Sequence, residues 1–115
     1  MSHTSNGTYT VRFRSSLGSV GAGVIELEDL TVKGGDSAFI FSGKFQEQGD
    51  TLVGKVSVRQ HSGYGMSIFG PLSSFVLELK GQLVSGRGVF SGYVSGKPNL
   101  KVTVELQRAN LVAAE

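Results

Sequence analysis

The stretch LTVKGGDSAFIFSGKF, Leu30 to Phe45, sets two apolar runs on either side of Gly34, Gly35 and Asp36. Two readings compete. Adjacent glycines followed by a carboxylate can form an anion or metal loop, or they can turn the chain from one strand into the next. The flanks decide between them. Phe39, Phe41 and Phe45 fall on one face at period two, with Gly43 in register between them, which is the pattern of a half-buried strand. No helical stripe follows the glycines, whereas a phosphate cradle works through backbone N–H groups converging at a helix amino terminus. A lone carboxylate also falls short of the roughly 6–8 oxygen ligands that calcium takes. Gly34 and Gly35 are therefore expected at a structural turn, adopting positive φ without Cβ cost. Asp36 is expected to close that turn by accepting a backbone N–H.

Period-two alternation continues through most of the chain. Tyr9, Val11 and Phe13 oppose Thr10, Arg12 and Arg14, and Ile25 and Leu27 oppose Glu26 and Glu28. Leu52, Val56 and Val58 share a face with Gly54, Phe75, Leu77 and Leu79 share another, and Leu100 to Leu106 alternate with Lys101, Thr103 and Glu105. GVFSGYVSG has apolar residues of both parities, Val89 and Tyr93 against Phe90 and Val94, so it is expected to be buried on both sides. With a short strand near Leu30 to Val32, seven or eight strands follow. The short links GG, QGD, SGR and SGKPN suit hairpins. An all-β, small antiparallel up-and-down barrel is the expected fold, because closure removes exposed edges. In-register Gly43 and Gly54 fit strands that bend hard at barrel corners. About eight strands enclose an interior that side chains fill or that holds one small ligand. Tyr9, Phe13, Phe39, Phe41, Phe75 and Leu77 are the candidate interior and ligand-facing residues.

At 115 residues the chain fits one domain, residues 1–115, with 1–6 expected to fray. Seventeen glycines with only two prolines and a substantial apolar content do not read as disorder. There is no cysteine, which excludes disulfides, thiol nucleophiles and thiolate metal sites. No signal peptide is visible and no apolar run approaches the roughly 20 residues of a membrane span, so a cytoplasmic location away from membranes is expected. A formal charge of +2 with singly scattered Lys and Arg leaves direct nucleic-acid binding unsupported.

Catalytic chemistry is thin. Of two histidines, His3 sits in the terminus and His61 at a loop start, and no Ser-His-Asp set can be assembled around His61 without arbitrary partners. Glu26 and Glu28 face outward with their strand. GSVGAG, Gly18 to Gly23, has loose nucleotide-loop spacing, but an alternating strand follows it where a helix is required. No enzymatic activity, metal or cofactor is expected. One connection is long: HSGYGMSIFGPLSS, His61 to Ser74, carries Tyr64, Met66, Ile68 and Phe69. Those side chains either plug one end of the barrel or contact a partner.

The order of short motifs resembles that of the GrlR-like family. NGTY opens an alternating strand that ends in Phe13, then come GAG (Gly21 to Gly23), an apolar strand, GGD (Gly34 to Asp36) and FSG (Phe41 to Gly43). The match covers the first half of the chain, and the second half fits by strand count and alternation. The resemblance implies a lipocalin-like barrel, homodimeric and non-enzymatic. The family's founding member is a negative regulator of type III secretion, and the family can act by binding a transcriptional activator. It also implies a partner contact at an acidic run just after FSG. The matching stretch FQEQGDT supplies Glu47 and Asp50 alone, and two separated carboxylates steer a basic partner less strongly than a dense run. The leading expectation is a regulatory interaction protein, with Glu47, Asp50, Tyr64, Met66, Ile68 and Phe69 as candidate partner contacts. The alternative is a carrier of an apolar small molecule. A cavity of about 300 Å³ or more would favour the carrier, and aromatic side chains meeting at the axis would oppose it.

Overall fold

The computed structural model describes residues 5–36, 38–61 and 73–109. Eight strands follow in chain order: β1 (Gly7–Ser15), β2 (Val20–Glu28), β3 (Thr31–Gly35), β4 (Phe39–Gln48), β5 (Thr51–Gln60), β6 (Ser74–Val84), β7 (Arg87–Val94) and β8 (Lys97–Arg108). Each pairs antiparallel with the next. β8 returns to β1, with Val11 opposite Leu106 and Phe13 opposite Val104, so the sheet closes into a barrel. This is the small antiparallel up-and-down barrel that the alternation predicts.

The alternation also sorts the faces. Tyr9, Ile25, Phe41, Val56, Leu77 and Val102 are buried. Residues of the opposite parity on the same strands, Arg12, Glu26, Lys44, Lys55, Lys80 and Lys101, are exposed. Charges outside and hydrocarbon inside reverse the arrangement of a transmembrane barrel, whose lipid-facing surface is apolar. Among the described residues no helix is long and apolar enough to cross a membrane.

The expectation for β7 needs correcting. Phe90 and Val94 are 2% exposed, but Val89 is 59% and Tyr93 38% exposed. A barrel made of one closed sheet has a single dry side, so a strand of mixed parity can bury only one set.

A second correction concerns Gly34 and Gly35. Both lie in β3, paired with Ile25 and Val24 on one side and Phe41 and Ile40 on the other, rather than at a turn. Neither has positive φ. Their lack of a Cβ serves close approach instead: a Cβ on Gly34 would collide with the Val24 carbonyl oxygen and lie 2.6 Å from Ile25 Cα. Positive φ falls in other connections, at Asp29 (49°) and Leu30 (67°) between β2 and β3, and at Ser85 (53°) and Gly86 (81°) between β6 and β7. Two successive positive-φ residues are what a two-residue I′ hairpin turn requires.

The strand directions give the barrel two ends. The upper end carries the β1–β2 turn, the β3–β4 connection at Asp36 and the β7–β8 turn. The lower end carries the β2–β3, β4–β5 and β6–β7 turns. Tyr9 anchors the lower end and is fully buried. Its hydroxyl donates to the Ser5 carbonyl at 2.6 Å and accepts from Arg108 Nη2 at 3.0 Å. Replacing Tyr9 by Phe keeps the packing and removes both bonds, so it is expected to cost about 1–2 kcal/mol. A fall in the urea midpoint at unchanged m-value checks it.

Candidate functional site

The interior of the barrel is hollow in its upper part. A cavity of about 300 Å³ lies between Phe13 of β1, Phe39 and Phe41 of β4, Phe75 and Leu77 of β6, and Val56 and Val58 of β5. Aromatic contacts shape it without filling it. Phe13 and Phe41 meet edge to face, with centroids 5.7 Å apart and planes at 86°. Phe45 and Phe90, 5.2 Å apart, form part of the lining lower down. Edge-to-face geometry sets the positive edge of one ring against the negative face of another. Each ring is thereby given a preferred orientation, and the space beside it stays open.

Five of the six residues expected inside line this cavity: Phe13, Phe39, Phe41, Phe75 and Leu77. Tyr9 is interior as expected but belongs to the seal at the lower end, where the Arg108 guanidinium carbon sits 5.5 Å from its ring centroid.

Asp36 also lines the cavity, and it is the one polar residue among the described lining residues. Its Oδ1 accepts the backbone N–H groups of Ala38 and Phe39, both at 2.8 Å. The Asp36 N–H in turn donates to the Phe39 carbonyl at 3.0 Å. The turn-closing role expected for Asp36 is thus the one it performs, at the rim of the interior. His61 lies alongside, with Nε2 3.2 Å from the Asp36 carbonyl oxygen and its backbone N–H donated to the Ala38 carbonyl at 2.7 Å.

Val20, Gly21 and Ala22 of β2 also line the cavity, although nothing in their sequence suggests it. β2 begins with its apolar pattern inverted. Gly21 and Gly23 take the inward positions, while Val20 and Val24 are 68% and 49% exposed. The Phe13 ring lies over Gly21, where an added Cβ would come within 2.9 Å of Phe13 Cδ2. A glycine in register with a phenylalanine on the next strand, Phe13 opposite Gly21, is the signal that could have found them.

The candidate partner contacts lie elsewhere. Glu47 is the penultimate residue of β4 and Asp50 sits in the β4–β5 turn, both exposed, at the lower end of the barrel and away from Asp36 at the upper end. Tyr64, Met66, Ile68 and Phe69 lie outside the described residues. A second depression crosses the outer faces of β1, β6, β7 and β8, bordered by Arg12, Lys80, Arg87 and Glu105. Strand pairing gathers there cations that are scattered in sequence. Among the described residues no group of three or more His, Asp or Glu could hold a metal ion.

No family model matches the chain, and no curated protein matches it. Among solved structures, one described as a redesigned beta barrel is similar with a TM-score of 0.62 at 20% identity, over 92% of each chain. At that identity the likeness shows the fold alone.

Proposed function

We propose that this barrel is a non-enzymatic binding protein that takes a small apolar molecule into its interior. The observation that carries this reading is the cavity of about 300 Å³, whose described lining residues are apolar apart from Asp36. Ligand pockets start at about that volume and combine mostly apolar walls with a few placed polar groups. Titration with a neutral, environment-sensitive dye small enough for that volume, such as 1-naphthylamine with eleven non-hydrogen atoms, tests it. Saturable binding at one dye per chain with a blue-shifted emission is expected. Absence of saturable binding up to solubility would remove the reading.

A second reading rests on the GrlR-like motif order and on exposed Glu47 and Asp50 beside the β4–β5 turn. In it the protein is a cytoplasmic, homodimeric negative regulator, lipocalin-like in form, that contacts a transcriptional activator or another protein, as type III secretion regulators of that family do. Two exposed carboxylates at one turn offer a basic partner a small acidic contact. Reversing both charges, with Glu47→Lys and Asp50→Lys, is expected to abolish recovery of a partner from native cells. Recovery unchanged by the reversal would exclude these two residues. Light scattering that gave a monomer at high concentration would exclude the dimer.

A further inference from the structure

The cavity has a chemical polarity that bears on what it accepts. Among the described lining residues its walls are hydrocarbon from Leu106 and Phe90 upward, and these supply no side-chain hydrogen-bond partner until Asp36 at the rim. No Lys, Arg or His is among the described lining residues, so none of them neutralises that carboxylate within the cavity. The carboxylate is held in place by its own turn, because Oδ1 accepts two backbone N–H groups at 2.8 Å. Among the described residues nothing is hydrogen-bonded to Oδ2. A carboxylate has about four lone-pair sites and no donor. A ligand end that brings a donor can therefore use the second oxygen without breaking the turn. An end that brings a second negative charge meets repulsion from that carboxylate.

We infer that the cavity selects apolar molecules ending in a hydrogen-bond donor, a primary ammonium group above all and a hydroxyl next, and rejects the corresponding carboxylates. This rests on the reading of the interior as a ligand site. Size follows from volume. A dry apolar cavity of about 150 Å³ holds one benzene, so 300 Å³ holds about twelve non-hydrogen atoms. A ten-carbon chain with one polar head group meets that limit, with the chain among Phe41, Val58 and Leu77 and the head at Asp36.

Three matched probes test this by competition against bound 1-naphthylamine at neutral pH, all below their micellar concentrations: decylamine, decanol and decanoate. Decylamine is expected to displace the dye at a concentration at least tenfold below decanoate, with decanol between them. The diagnostic variant is Asp36→Asn. Its side-chain oxygen can still accept the Ala38 and Phe39 N–H groups, so the turn and the thermal midpoint should hold within a few degrees. In Asp36→Asn the preference for decylamine over decanoate is expected to shrink to within about twofold, while decanol binding is retained. Asp36→Glu, which keeps the charge but displaces it, is expected to retain the order with a smaller ratio. Equal displacement by decylamine and decanoate in the unaltered protein would overturn the selectivity and leave the ligand site standing. A preference that survived in Asp36→Asn would overturn the role of Asp36. Failure of all three probes and of the dye would overturn the ligand site itself, and the selectivity with it.

Discussion

Replacing both Val56 and Val58 by Phe is expected to abolish dye uptake while the barrel stays folded. The two valines are 7% and 6% exposed, point inward from β5 and line the cavity. Val58 stands opposite Phe41 and Phe75, and Val56 opposite Gly43 and Leu77. Each Val→Phe change adds four carbons, so the pair would occupy about two thirds of a space sized for about twelve atoms. In a solid core such additions cost about 1–3 kcal/mol through forced rotamers and backbone shifts. Here the added rings enter empty volume and gain dispersion contacts that the hollow interior lacks, so the thermal midpoint is expected to stay within a few degrees or rise. A small apolar ligand contributes on the order of 0.5 kcal/mol per atom, which sets the unaltered affinity near tens of micromolar. The double variant is expected to weaken this at least tenfold, and Val58→Phe alone by less. Full-affinity binding by the double variant would place the dye on the outer surface and sink the interior site. A large drop in the midpoint would show that the interior is packed more tightly than its cavity implies.

Much of this interior was legible in the sequence, because period-two burial leaves a direct trace in the order of residues. Phe39, Phe41 and Phe45, or Val102, Val104 and Leu106, could be assigned to one face from spacing alone. The hollow itself left no such trace. Whether Phe13 and Phe41 meet at the axis or along one wall depends on strand tilt and ring orientation, and alternation constrains neither. The Tyr9–Arg108 seal was hidden for another reason. Its partners are 99 positions apart and meet only because β8 closes on β1. The first half of β2 was silent for a third reason, since its inward positions, Gly21 and Gly23, hold glycine and its outward ones hold Val20 and Val24. Only Ile25 and Leu27, further along the strand, carry the inward pattern. Asp36 was read correctly as a turn residue, but its place on the cavity rim follows from the third dimension.

Glycine carries the other large expected effect. Gly43→Ala should destabilise the barrel by about 3 kcal/mol. At about 4 °C per kcal/mol for a domain of this size, that lowers the thermal midpoint by about 12 °C. Gly43 faces inward between Phe41 and Phe45, and its Cβ would run into the Lys55 carbonyl oxygen and approach Val56 Cα to 2.7 Å. Both obstacles are backbone of the paired strand, so relief requires β4 and β5 to separate, at the expense of the ladder between them. Gly21→Ala supplies the contrast. Its Cβ meets the Phe13 ring, with Cδ2 at 2.9 Å and Cζ at 3.0 Å. A ring can rotate away, here toward the open cavity, so the cost should stay near 1 kcal/mol while dye affinity falls as the ring takes ligand space. Gly49→Ala gives the third case. Its Cβ would meet nothing within 4 Å, but its φ of +64° strains an alanine, so about 1 kcal/mol is expected with no change in dye binding. Denaturant midpoints and dye titrations on the three variants separate the effects. Gly43→Ala within 1 kcal/mol of the parent would refute close strand approach as the reason for glycine there. If Gly21→Ala left dye affinity unchanged, Phe13 would not be the movable wall of the site. The same small-against-large registration, Gly21 opposite Phe13 and Gly54 opposite Phe45, lets the strands coil tightly and keeps inward positions empty. The feature that makes the fold intolerant of Cβ atoms at Gly43 also gives the interior room for a guest.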